Sequence, residues 1–125
     1  MTLDELMGAA AAKIDRLSPV EALAAAEDGA LIVDIRSETS IARTGAIPGA
    51  IHVPRTVFEW RLEPDGEWRN PRVEGLDQRV IVICDEGFSS VLAAATLADL
   101  GYERPADVEG GFTAWAAADL PVDPS

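Results

Sequence analysis

Cys84 is the one sulfhydryl in the chain, and the residues after it, Asp85-Glu86-Gly87-Phe88-Ser89-Ser90, lead from the apolar run Val80 to Ile83 directly into an apolar helix-forming segment. A thiol at the carboxyl end of a strand, followed by a glycine turn and a helix start, stands where open α/β sheets bind their ligands. The free amides and positive end of that helix would face the sulfur and favour the thiolate, which is the nucleophilic form. The competing reading is packing, because free cysteine is among the most buried residue types and can end a core strand as a small hydrophobe.

The neighbours of Cys84 modify that chemistry. Asp85 and Glu86 put two carboxylates near the sulfur, and a like charge at about 5 Å opposes a thiolate by about 1–3 kcal/mol when partly screened. A raised Cys84 pKa and repulsion of anionic donors are then expected. Alternatively, the two carboxylates point to solvent and complement the helix dipole. Ser89 and Ser90 read first as helix caps, with a hydroxyl left over for a bound sulfur species.

Four of the ten basic residues, Arg55, Arg61, Arg69 and Arg72, fall between positions 55 and 78. Arg55 follows a strand expected to end at the same sheet edge as Cys84, so Arg55 and Arg61 are candidates for substrate binding. Their alternative is pairing with surface carboxylates, the expected use of Arg69 and Arg72. Trp60 and Trp68 could wall a pocket or pin a long loop to the body. Asp34 and Arg36, at the end of another strand, read as structural residues near the site. Asp34 would accept backbone hydrogen bonds and Arg36 would pair with a carboxylate, Glu109 being the candidate. His52, inside a strand, reads as a satisfied side chain rather than a base.

These residues need a framework to hold them. Thr2 with Glu5, and Ser18 with Pro19 and Glu21, are helix-start signals; the second predicts a helix from Pro19 to Glu27 ended by Gly29. The runs Leu31 to Ile35 and Val80 to Ile83 are continuously apolar, as strands covered on both faces must be. A third short strand is expected over Ala50 to Pro54, and pieces near Arg16–Leu17 and Ala106–Val108 would complete a sheet of five. Between Val91 and Leu100 only Thr96 and Asp99 are polar, so that helix must be buried over most of its circumference. A last helix is expected over Phe112 to Ala118, and a short helix and a long surface loop over Arg55 to Gln78. Strand and helix alternate, which predicts an α/β fold with a mostly parallel, about five-stranded sheet flanked by helices on both faces. Residues 1–14 read as an N-terminal helical extension and 15–125 as the domain proper.

Composition narrows the function classes. Ten basic against 22 acidic residues give a net charge of −12, a field that repels phosphate backbones and anionic lipid. Nucleic acid and membrane are therefore not expected partners. One cysteine cannot form an intramolecular disulfide, and a lone His52 offers no zinc spacing, so a metal-free, cytoplasmic chain is expected. Acidic residues at positions 4 and 5 replace the positive charge of a signal peptide.

Four motifs in order resemble the single-domain rhodanese-like sulfurtransferases: LIVDIR at 31–36, TGAIPGAIHVP at 44–54, CDEGFSS at 84–90 and VEGGFTAW at 108–115. The resemblance spans about Arg16 to Val122. It implies a compact α/β fold and a cysteine, here Cys84, that accepts a sulfane sulfur as a persulfide and passes it on. The backbone of Asp85 to Ser90 would form the anion cradle. The implied partners are a sulfur donor and a thiol or protein acceptor, with no cofactor; the resemblance implies no oligomeric state. Many thiosulfate-using members place a basic residue directly after the cysteine and an arginine five positions after it, where this chain has Asp85 and Ser89. That departure disfavours free thiosulfate. The missing arginine also disfavours the related cysteine phosphatases and arsenate reductases. A binding or regulatory module with a catalytically weak or silent cysteine, and a thiol redox sensor, are the rival readings.

Overall fold

The computed structural model describes residues 1–124. Among them, five strands form one sheet: β1 (Asp15–Leu17), β2 (Leu31–Asp34), β3 (Ile51–His52), β4 (Val80–Ile83) and β5 (Ala106–Val108). The helices are α1 (Leu3–Ala11), α2 (Pro19–Glu27), α3 (Glu38–Thr44), α4 (Phe58–Leu62), α5 (Ser89–Leu100) and α6 (Gly111–Ala117), with a single 3-10 turn at Arg55–Val57. The strand order is β1-β5-β4-β2-β3, and every ladder is parallel. The chain leaves β2 toward β3 and leaves β4 toward β5, in opposite directions across the sheet. The crevice outside the carboxyl ends of β2 and β4 is therefore the topological switch point, where open α/β sheets bind ligands.

The continuous apolar runs split by side-chain alternation into two cores. Leu31, Val33, Val80, Val82 and Cys84 face one side, with Phe58 and Leu62 of α4 and Ala93, Ala94 and Leu97 of α5. Ile32, Ile81, Ile83, Ala106 and Val108 face the other, with Ala22 of α2 and Phe112 and Trp115 of α6. Each strand residue thus has an apolar layer to enter, which explains the absence of polar alternation. On the outer side of α5, Val91 and Ala95 pack against Ala10 of α1, so α5 has apolar neighbours on both flanks. No helix of the described residues is long and apolar enough to cross a membrane.

The predicted capping boxes at Thr2–Glu5 and Ser18–Glu21 both form. One helix escaped the sequence reading. α3 is seven residues long and buries none of its side chains, so it has no hydrophobic period; its signal was Ser37, whose hydroxyl accepts the Ser40 N–H at 3.1 Å. The bounds of β3 are also tighter than Ala50 to Pro54, because only Ile51 and His52 stand in register with β2, opposite Val33 and Asp34.

Tyr102, just past α5, is buried, and its hydroxyl donates to the Leu62 carbonyl at the end of α4. Burial pushes its pKa up to about 12. Because the folded value exceeds the unfolded one of about 10, its contribution is complete below pH 10 and is lost as pH rises toward 12. Alkaline unfolding followed by circular dichroism should therefore steepen across that window, and Tyr102→Phe should flatten it. Equal alkaline slopes in both proteins would contradict this assignment.

Candidate active site

Cys84 directly follows β4 on the edge of the crevice and is 5% exposed. Three groups converge on its sulfur. The Gly87 N–H donates to Sγ at 3.2 Å, the Ser90 N–H donates at 3.4 Å, and the Ser90 hydroxyl lies 3.3 Å away as acceptor of the thiol proton. The helix-capping residue of α5 is Phe88, which has no side-chain cap bond. Sulfur takes that place instead, accepting a first-turn amide at the positive end of a twelve-residue helix. The expectation that Ser89 and Ser90 cap the helix is corrected accordingly: Ser90 is fully buried and its hydroxyl donates to Asp107 Oδ2 at 2.8 Å.

Burial works against ionisation of Cys84. The hydroxyls of Ser90 and Ser89 and the N–H groups of Ser90 and Gly87 outweigh it, and the thiol pKa is lowered. The raised value expected from Asp85 and Glu86 is thereby corrected. Both residues are exposed to solvent, where their charge is screened, whereas the amides touch the sulfur.

The loop owes its shape to the glycine pair 26 residues downstream. The Cys84 carbonyl accepts the Phe112 N–H at 2.8 Å, and the Asp85 carbonyl accepts the Thr113 N–H at 3.0 Å, so the start of α6 holds the loop by its backbone. This docking leaves no room for side chains. A Cβ at Gly111 (φ +58°) would stand 2.5 Å from the Cys84 oxygen, and one at Gly87 (φ +85°) would stand 2.7 Å from the Gly110 nitrogen. Both clashes are with backbone, which cannot swing aside, and both positions lie in the left-handed region.

Asp34 and Arg36 form a buried ion pair at the end of β2. Nη2 of Arg36 reaches Asp34 Oδ2 at 2.8 Å, and Oδ1 also accepts the Arg36 backbone N–H at 3.0 Å. The guanidinium further donates to Thr44 Oγ1 at 2.9 Å and the Gly45 carbonyl at 2.8 Å, and it lies 3.7 Å from the centroid of the Phe112 ring. The carboxylate suggested by sequence, Glu109, is thus corrected to Asp34. Through Phe112 this pair braces the start of α6, which in turn holds the Cys84 loop. His52, on edge strand β3, bonds the Arg36 carbonyl through Nε2 at 2.7 Å.

The arginines of the irregular segment are engaged elsewhere. Arg55 pairs with Glu59 at 3.0 Å and follows β3, two strands from β4. Arg61 donates to the Trp68 carbonyl. Arg69 and Arg72 also bond main-chain carbonyls, those of Val73 and Gly49, rather than the carboxylates expected. Trp60 and Trp68 stay largely exposed and line a shallow surface hollow with Thr56, Val57 and Arg61.

Two residues at the site were not singled out by sequence. Arg16 on β1 and Asp107 on β5 stand opposite each other in register. Nε of Arg16 donates to Asp107 Oδ1 at 2.9 Å, and its Nη2 donates to Oδ2 at 3.0 Å and to the Gly87 carbonyl at 2.9 Å. The available signal was a lone carboxylate inside the short core strand Ala106–Val108, which has to find a cation or donors. Among the described residues, no three His, Cys, Asp or Glu side chains gather to hold a metal ion.

A family model described as Rhodanese-like domain matches residues 18–118. A protein of Allochromatium vinosum named sulfurtransferase is 36% identical over 110 residues, covering 88% of this chain and 92% of that protein. The thiosulfate sulfurtransferase GlpE of Pseudomonas entomophila is 36% identical over 101 residues, covering 80% of this chain and 83% of that one. Among solved structures, a Rhodopseudomonas palustris protein described as of unknown function and a possible tyrosine phosphatase superposes with a TM-score of 0.88 at 32% identity, covering 98% of this chain and 95% of that one.

Proposed function

This chain belongs to the rhodanese-like domain family, and on that premise we propose that it is a sulfurtransferase that moves a sulfane sulfur through a persulfide on Cys84. The observation that carries the reading is the Cys84 sulfur at the focus of the Gly87 and Ser90 amides and the Ser90 hydroxyl. The Cys84 thiolate attacks the outer sulfur of a donor. A bond forms between the two sulfurs, the donor's own bond to that sulfur breaks, and the electron pair leaves with the remainder of the donor. The amides of the 85–90 loop then hold the charge of the persulfide. A thiol or protein acceptor attacks the outer sulfur in turn, and Cys84 departs as thiolate, restoring the starting state without a cofactor. Residues 1–14, outside the matched span, serve as an extension whose helix braces α5.

The preferred donor is a neutral or thiol-linked sulfane rather than free thiosulfate. Segment 85–90 carries two carboxylates and no cation, and the guanidinium bound to it, Arg16, is already paired with Asp107. A phosphate dianion fares worse, since it needs a bidentate cationic clamp; sulfur transfer is therefore favoured over phosphatase chemistry. The rival is a binding module with a silent cysteine, and the 5% exposure of Cys84 speaks for it.

Incubation of the protein with thiosulfate, an organic persulfide and a polysulfide, followed by intact mass, separates these. The expected result is a gain of one sulfur, removable by a thiol reductant and more complete with the organic persulfide. Asp85→Asn combined with Ser89→Arg should raise uptake from thiosulfate. No adduct from any donor would leave the binding module as the function.

A further inference from the structure

The Ser90 hydroxyl has one proton and two claimants. Its oxygen is 2.8 Å from Asp107 Oδ2 and 3.3 Å from Cys84 Sγ. In the geometry present, the proton goes to the carboxylate and the oxygen lone pair receives the thiol proton, an arrangement that suits a neutral sulfur. A charged sulfur needs the reverse, with the hydroxyl turned toward it as donor. Asp107 is fully buried, yet it loses little in that turn, because Oδ1 and Oδ2 keep the two bonds from Arg16 at 2.9 and 3.0 Å. Arg16 also holds the Gly87 carbonyl, one peptide unit from an amide that donates to sulfur.

We propose that the Arg16–Asp107 ion pair, acting through the Ser90 hydroxyl, sets how readily Cys84 ionises. While sulfur is a thiol, Asp107 holds the Ser90 proton. When the S–H bond breaks and its proton leaves to solvent, the Ser90 O–H turns from Oδ2 to sulfur and Asp107 remains a carboxylate steadied by Arg16. Asp107 opposes the thiolate twice, by its charge and by competing for the hydroxyl; Arg16 favours it twice, by its own charge and by weakening that competition. Arg16 and Asp107 are positioning residues in this account, since neither touches the sulfur. The other charges around them are Glu109 beyond β5, Asp4 on α1, which lines the same surface hollow as Arg16, and the exposed Asp85 and Glu86, none of which bonds Ser90. The inference rests on Cys84 being the sulfur carrier for its biological meaning, but its test does not require sulfur transfer.

The test is the pH midpoint of Cys84 alkylation by iodoacetamide, with circular dichroism as the check on folding. Asp107→Asn should lower the midpoint by about one pH unit, and Arg16→Gln should raise it by a similar amount. Opposite signs are the signature, because damage to packing alone has no reason to move the two variants apart. Adding Ser90→Ala should raise the midpoint more in Asp107→Asn than in the wild type, since the hydroxyl is worth more to sulfur when no carboxylate competes. If a single variant fails to fold, the effect of Ser90→Ala is compared between the wild type and Arg16→Gln/Asp107→Asn, which carries neither charge, and the rise in midpoint should be larger in the double variant. Shifts of the same sign, absent shifts, or an equal effect of Ser90→Ala in both backgrounds would overturn the proposal. Opposed shifts in a protein that gains no sulfur would instead remove the sulfurtransferase reading and leave this one standing.

Discussion

Cys84→Ser should abolish sulfur uptake from every donor that loads the wild type, lowering turnover by on the order of 10³-fold or more. The substitution changes one atom in a cradle whose remaining parts stay in place. A serine hydroxyl can still accept the Gly87 and Ser90 amides, so the loop and the start of α5 should fold as before, with melting close to that of the parent. What disappears is a thiol whose ionisation the surrounding amides and hydroxyls favour. The amides and hydroxyls that lower the Cys84 pKa act on a thiol whose ordinary value is about 8.5, whereas an alcohol is far too weak an acid for the same help to matter. The measurement is intact mass after exposure to an organic persulfide, alongside single-turnover transfer to a thiol. A reducible adduct on the variant would place the sulfur on another residue and end the persulfide mechanism proposed for Cys84.

Arg36→Leu should be strongly destabilising, costing about 3–5 kcal/mol, the range for removing one member of a buried ion pair. The side chains of Arg36 and Asp34 are 0% and 4% exposed, so water cannot replace the lost guanidinium. The Thr44 hydroxyl and the Gly45 carbonyl lose a donor at the same time, and Phe112 loses the cation against its ring. Against a typical total of about 5–15 kcal/mol, such a loss leaves a marginal protein. Urea unfolding should show a lower midpoint at unchanged slope. Arg36→Lys should lose less, because it keeps a charge for Asp34 but not the forked geometry. A cost below about 1 kcal/mol for Arg36→Leu, the level of an exposed pair, would show that the pair is not the brace of the α6 start.

The two variants test different parts of one construction. Cys84→Ser removes the chemistry and spares the scaffold, while Arg36→Leu attacks the scaffold at some distance from the sulfur. Arg36→Leu should also loosen the loop, since the chain of contacts runs from Arg36 to Phe112, and from the Phe112 N–H to the Cys84 carbonyl.

Much of this construction was written locally. The capping boxes, the apolar runs of β2 and β4, the buried helix α5, and a cysteine between strand and glycine turn all depend on neighbours within a few residues. Periodicity and side-chain chemistry expose such features directly. α3 escaped for the same reason: a seven-residue helix lying open on the surface has no period to read. The Cys84 pKa moves opposite to the direction that Asp85 and Glu86 imply, because formal charge is visible in a sequence, whereas the aim of an amide is not. Asp85 and Glu86 turn to solvent, and groups without formal charge decide the outcome.

By itself the sequence determined every strand, every helix but α3, their order, and the sulfur at the end of a strand. The tertiary structure alone decided what surrounds that sulfur. Arg16 and Asp107 are 91 residues apart and meet only because β1 joins the sheet beside β5. Glycines 110 and 111 matter to the loop only because α6 returns to take its carbonyls. Hydrogen bonds and ion pairs act over a few ångströms, so contacts between distant segments follow from strand order and register, which no local pattern encodes.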